Sequence, residues 1–216
     1  MTGLIVAIDT DDLVKAQKLV VLLDDHVKMF KIGLEFFAAH GQQGVRLLGL
    51  SGNRLMLDLK LHDIPNTVAG ACRALLPLRP RFLTVHASGG PKMIEAARDM
   101  AGKFEDRPLI LAVTVLTSLD AKQDEVMSLA GASIEAGADG VVCSPWEAAA
   151  LRKRHRAAIL VCPGIRPQST ELNDQRRVAT PSDAARYGAD WIVVGRPITQ
   201  ANDPVAAAID ITKDMT

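Results

Sequence analysis

Apolar residues fall along this chain in eight short runs rich in Val, Ile and Leu, separated by longer stretches with helical spacing. The runs are "LIVAID" (4–9), "VKMFKIG" (27–33), "RLMLDLK" (54–60), "RFLTVHA" (81–87), "LILAVTVL" (109–116), "DGVVCS" (139–144), "AILVCPG" (158–164) and "WIVVGR" (191–196). Several are apolar on both faces, as strands covered by helices must be. Between them, "DLVKAQKLVVLLDD" (12–25) predicts a helix behind a cap at Thr10 or Asp11. "DEVMSLAGASIEAGA" (124–138) predicts one stopped by Gly137, and "TPSDAARYGA" (180–189) one begun near Thr180 and stopped by Gly188.

Such alternation requires a parallel sheet with right-handed helical crossovers. Spread over eight units, 216 residues give about 27 each, near the minimum for a strand, a helix and two turns. The expectation is a closed (β/α)8 barrel, the TIM-barrel fold, as a single domain over residues 1–216. An open doubly wound sheet is the rival. Polar residues at the C-terminal ends of nearly all eight strands, and not at one switch point, favour the barrel.

Composition narrows the function classes. Basic and acidic residues balance, 25 against 25, so no charge excess points to nucleic acid or a membrane surface. Aromatics are 4% of the chain, too few for base-stacking platforms. Cys72, Cys143 and Cys162 are odd in number and widely spaced, which predicts reduced thiols. "MTGLIVAIDT" lacks the charged start of a signal peptide, and no apolar run is long enough to span a bilayer. A cytoplasmic protein is expected.

One run breaks the apolar pattern. "LDLKLHDIPNTV" (57–68) places Asp58 and Lys60 inside a core strand and Asp63 just beyond it. Alternation sets Met56, Asp58 and Lys60 on one face and Leu57, Leu59 and Leu61 on the other. The leucine face suits the helices, so Asp58 and Lys60 point toward the barrel mouth. A structural ion pair is the default for such a couple, and buried pairs add little net stability. Asp9 and Lys31, also at C-terminal strand positions, make two acids and two lysines at one mouth, which is the pattern of a site. A lysine held between carboxylates can stabilise negative charge developing on carbon and then protonate it.

Beyond strands seven and eight come "PGIRP" (163–167) and "VGRPIT" (194–199). These are the usual phosphate loops of the barrel, where glycine lets backbone approach an anion and arginine brings charge in fork geometry. Gly164, Gly195, Arg166 and Arg196 are therefore candidate phosphate residues, against a default of turn glycines and surface arginines. His86, in "VHASGG" (85–90), reads as a packing histidine before a catalytic base. Thr117, in "VTVLTS" (113–118), could donate to a ring edge, although a helix cap is its default. Gln175 is by default a solvated loop residue.

Together with "AID" (7–9), "FKIGLEFF" (30–37), "VHASGG", "VTVLTS", "PGIRP", "ATP" (179–181) and "IVVGRPIT" (192–199), the run "LDLKLHDIPNTV" resembles the orotidine 5′-monophosphate decarboxylase family over nearly the whole chain. The resemblance implies cofactor-independent decarboxylation of orotidine 5′-monophosphate to UMP, the last step of de novo pyrimidine synthesis, without metal or organic cofactor. It implies that Lys60 protonates C6, that Asp58 faces the departing carboxylate, and that Lys31 and Asp9 hold ribose and the charge array. The stretch Leu59, Lys60, Leu61, His62, Asp63, Ile64, Pro65, Asn66 and Thr67 would border the substrate. Asp63, Ile64 and Thr67 would reach a neighbouring subunit's site, making a homodimer. Thr117 would meet the pyrimidine edge, and Gln175, Gly195 and Arg196 would take the phosphate with Arg166 close by. Two alternatives stand beside this: a magnesium-dependent sugar-phosphate decarboxylase or aldolase of the same superfamily, and a non-catalytic UMP-binding barrel.

Overall fold

The computed structural model describes residues 2–116, 122–167 and 179–215. Each of the eight apolar runs overlaps a strand: β1 Gly3–Ile8, β2 Met29–Gly33, β3 Gly52–Leu61, β4 Pro80–His86, β5 Leu109–Val113, β6 Gly140–Val142, β7 Ile159–Cys162 and β8 Trp191–Val194. All neighbours pair in parallel in chain order, and β8 closes on β1. The open-sheet rival is thereby set aside. After β1 to β8 come α1 Leu13–Leu23, α2 Leu34–Leu47, α3 Pro65–Leu75, α4 Pro91–Ala101, α5 Gln123–Glu135, α6 Pro145–Arg154, α7 Pro181–Arg186 and the short α8 Arg196–Thr199, followed by α9 Pro204–Asp214.

Two apolar layers hold the barrel. Ile5, Met29, Met56, Phe82, Leu111 and Val161 fill its interior, with Phe82 edge-on to Trp191 at 5.9 Å between centroids. The alternate residues, among them Val6, Phe30, Leu57, Leu83, Ile110 and Ile192, pack outward against the helices. Period-two alternation thus sorts each strand into an inner and an outer core. The interior is a packed core, and a cavity on the barrel axis lies above its upper layer, at the C-terminal mouth. Among the described residues, no helix is long and apolar enough to cross a membrane.

Helix ends follow local chemistry. Thr180 caps α7, accepting from the Asp183 N–H, while Asp183 accepts from the Thr180 N–H. Gly188 follows α7 and Gly137 follows α5, both with positive φ, as the sequence predicts. The α1 cap differs from the expectation. It is Asp12, whose carboxylate accepts from the Lys15 N–H at 3.0 Å, and not Thr10 or Asp11. The helix begins one residue later than the apolar spacing suggests, which moves the capping position with it.

Candidate active site

The first three strands bring four charges to the mouth. Asp9 follows β1, Lys31 lies in β2, and Asp58 and Lys60 lie near the end of β3. Their order in space is a chain of ion pairs. Lys31 Nζ stands 3.1 Å from Asp9 Oδ1 and 3.3 Å from Asp58 Oδ2, and Lys60 Nζ donates to Asp58 Oδ2 at 2.9 Å. The side chains of Lys31 and Asp58 are each 11% exposed, that of Lys60 28% and that of Asp9 51%, so the array runs from a dry centre to a wet rim. Gly33 makes the close approach possible: a Cβ there would lie 3.0 Å from both Asp9 Oδ1 and Lys31 Nζ.

The electrostatics follow from this order. Burial works against the Lys31 ammonium, but Asp58 and Asp9 more than offset it, and its pKa lies above the ordinary 10.5. Burial likewise opposes ionisation of Asp58. Lys31 and Lys60, with a hydrogen bond from Thr84, hold its carboxyl below the ordinary 3.8. At neutral pH both central members are charged.

The end of β3 is not a regular strand. Its register against β4 runs from Leu57 opposite Leu83 to Leu61 opposite Val85, so four steps on β3 meet two on β4. Within this bulge Lys60 has φ of +48°, a left-handed conformation unusual for a side chain of its length. Thr84 Oγ1, on β4, accepts from the Lys60 N–H at 2.8 Å and donates to Asp58 Oδ1 at 3.1 Å. Sequence alternation brings Asp58 and Lys60 to the same face but misses both the bulge and Thr84.

A cavity of about 620 Å³ opens beside the array. Asp9, Lys31, Asp58 and Lys60 line one side, and Pro163, Gly164, Arg166, Gly195 and Arg196 line another. Val113, Val142 and Val193 contribute apolar wall. Its volume and mixed lining suit a small polar ligand. Gly164 has φ of +75°, where a side chain would be strained. Arg166 is buried, and its backbone N–H donates to Ala179 O. The cavity also reaches Lys15, Glu35 and Gln200, which sequence reasoning passed over because they look like solvated helix residues.

Not every expected residue reaches the cavity. Leu59 and Leu61 pack outward with the helix-facing core, as alternation requires, and do not line the cavity. His62, Asp63, Ile64, Pro65, Asn66 and Thr67 are exposed along the rim and do not line the cavity of their own chain. Asp63 Oδ1 there accepts from the Ile64 N–H at 2.7 Å. His62 stacks on His86 with centroids 5.4 Å apart, and His86 Nδ1 and Ser88 Oγ share a hydrogen bond at 2.8 Å. Burial, His62 and Lys60 lower the His86 pKa, so it is neutral at pH 7. Thr117 and Gln175 lie outside the described residues. Among the described residues, no three His, Cys, Asp or Glu side chains form a group that could hold a metal ion.

Comparison with known proteins places this geometry. Residues 2–211 match the model of the "Orotidine 5'-phosphate decarboxylase / HUMPS family". An orotidine 5'-phosphate decarboxylase of Moorella thermoacetica is 46% identical over 98% of this chain and 91% of its own length. Its counterpart from Sphingopyxis alaskensis is 48% identical over 95% of both chains. The crystal structure of orotidine 5'-phosphate decarboxylase from Lactobacillus acidophilus superposes over the full length of both chains with a TM-score of 0.86 at 38% identity. The chain belongs to the orotidine 5'-phosphate decarboxylase / HUMPS family.

Proposed function

We propose that this protein converts orotidine 5′-monophosphate to UMP and carbon dioxide, the closing step of de novo pyrimidine synthesis, and that the whole chain acts as one barrel domain. The observation that carries this is the unbroken order Asp9, Lys31, Asp58, Lys60 along one wall of a cavity whose other wall holds Gly195 and Arg196. Relatives that share nearly the whole chain carry the name of this decarboxylase.

The cavity lining supports the following roles, with those of Thr117 and Gln175 taken from the family resemblance alone. Arg196 and Gly195, with Arg166 beside them, hold the phosphate, and Gln175 joins them. Asp9 and Lys31 hold ribose hydroxyls, and Thr117 meets the pyrimidine edge. The C6 carboxylate then stands against Asp58, whose carboxyl two ammonium groups and a hydroxyl hold ionised at neutral pH. When the bond from C6 to the carboxylate breaks, carbon dioxide leaves and the electron pair stays on C6. The Lys60 ammonium stabilises that pair and delivers a proton to C6, giving UMP and a neutral lysine that regains a proton from water. Stabilisation of the developing charge is the central effect, since fixed ammonium groups need no reorganisation as the bond breaks.

The site is completed by a second copy of the chain. Asp63, Ile64 and Thr67 sit on the exposed rim, and Ile64 is 66% exposed, an apolar side chain placed to enter a partner. The decisive experiment is an ultraviolet assay of the purified protein with orotidine 5′-monophosphate, with and without EDTA. Turnover that is indifferent to the chelator is expected. Absence of turnover, with UMP still bound, would leave a binding barrel; loss of turnover with EDTA would favour a magnesium-dependent reaction.

A further inference from the structure

Thr84 is a polar residue in the middle of an apolar strand, fully buried, with its neighbours at two-residue spacing being Phe82 and His86. A buried hydroxyl must find partners, and it can offer one proton and accept at its lone pairs. Here both capacities are directed at the charge array. The Lys60 N–H can only donate, so Thr84 Oγ1 accepts it at 2.8 Å, and the hydroxyl proton is left for Asp58 Oδ1 at 3.1 Å.

Each of the two bonds answers a specific need. The bulge at the end of β3 takes Lys60 out of regular pairing with β4, so its N–H requires an acceptor that the ladder no longer supplies. Its left-handed backbone persists only if the surroundings hold it there. Asp58 presents the other need. Its Oδ2 faces both ammonium groups, Lys60 from β3 and Lys31 from β2, with Asp9 behind Lys31. Oδ1 faces Thr84, so the hydroxyl fixes the rotation of the carboxylate about its own axis.

We propose that Thr84 is a positioning residue for the decarboxylation: its hydroxyl ties the strained backbone of Lys60 to the carboxylate of Asp58 and so sets where the two charged groups stand over the substrate. The catalytic part of this rests on the function proposed above. Thr84 touches no substrate. It acts through Lys60 and Asp58, and small displacements of such groups are costly in rate.

The test compares wild type, Thr84→Val and Thr84→Ser in the full chain. Valine fills nearly the same space without either hydrogen bond, and serine keeps both. Thr84→Val should lower kcat by about ten- to a hundredfold. Its affinity for UMP, which has no C6 carboxylate, should stay within about threefold of wild type, since phosphate and ribose contacts are untouched. The acid limb of the kcat profile should move to higher pH, because Asp58 loses one of the groups that keep it ionised. Thr84→Ser should return kcat to within about fivefold of wild type, a rescue that a purely space-filling role does not predict. If the valine variant does not fold, Thr84→Ala takes its place with the same expected loss. A kcat within about twofold of wild type in the valine or alanine variant, or equal impairment of valine and serine variants, overturns the assignment. An inactive wild type overturns the decarboxylation itself; an active wild type with a normal valine variant overturns Thr84 alone.

Discussion

The barrel carries buried or half-buried ion pairs at both ends, and the two sets are built differently. At the N-terminal end, Asp139 precedes β6 and Asp190 precedes β8. Asp139 accepts from Arg107 Nη1 and Nη2 at 2.9 and 2.7 Å and from the Ile110 N–H at 2.8 Å. Asp190 accepts from Arg152 Nη2 at 2.5 Å and from the Leu160 N–H at 2.8 Å. Each acid therefore clasps the start of the preceding strand, and its arginine seals the clasp. At the C-terminal end the partners are lysines, and they are tied to Asp9 and Asp58 and not to backbone. The choice of cation is chemical. A guanidinium gives a fixed planar fork and keeps its proton; an ammonium is a point charge that can give a proton away. One end is fastened and the other is equipped to react.

Removing Lys60 should produce the largest break between the two ends. Lys60→Ala should lower kcat by at least about a thousandfold, since in the proposed mechanism it removes both the stabilising charge and the proton source. UMP binding and thermal stability should stay near wild type, because the phosphate wall and the N-terminal clasps are intact. The same variant addresses the proposed sharing of the site between subunits: mixing Lys60→Ala subunits with Asp63→Ala subunits should recover part of the lost activity. A kcat near wild type in the single variant would mean the proton comes from elsewhere, and no recovery on mixing would place Asp63 outside the partner's site.

Arg196 sharpens the comparison within the C-terminal end, because it is an arginine where holding, not proton transfer, is needed. Arg196→Ala should lower kcat/KM by roughly 2–5 kcal/mol, the range for losing one partner of a buried charged contact. Steady-state kinetics of orotidine 5′-monophosphate read this directly. An unchanged kcat/KM would move the phosphate away from the loop after β8.

What the sequence revealed and concealed divides along the same line. All eight strands announce themselves by apolar runs, and the four charges of the mouth stand out because each interrupts such a run. Alternation also sorts Leu57 and Leu59 outward from Asp58, as the helix-facing core has them. The bulge was not legible, because no glycine marks it and a lysine takes the left-handed conformation. Thr84 was hidden for a related reason: threonine is common in strands, and only the bulge gives its hydroxyl something to hold. The clasps at Asp139 and Asp190 were passed over because a lone acid before a strand looks like a turn residue, and its arginine lies 32 or 38 positions away.

Those clasps make the converse prediction, with the smallest effect on chemistry. Asp139→Ala strips the acceptor from the Ile110 N–H and leaves Arg107 without its fork partner. The N–H lies where β5 begins, and a buried donor left unsatisfied costs about 1–3 kcal/mol. Arg107 is more exposed, so water replaces much of what it loses, and the amide is the larger part of the effect. For a chain of this length the melting temperature should fall by several degrees, at about 2–4 °C per kcal/mol. Turnover per folded molecule at 25 °C should not change, because β1 to β3 carry the charge array and the clasp lies at the opposite end of the barrel from it. Calorimetry and kinetics on one preparation separate the two quantities. A loss of kcat with an unaltered melting temperature would show that strand pinning at the N-terminal end is transmitted to the mouth, and that the two ends are not the independent devices their different cations suggest.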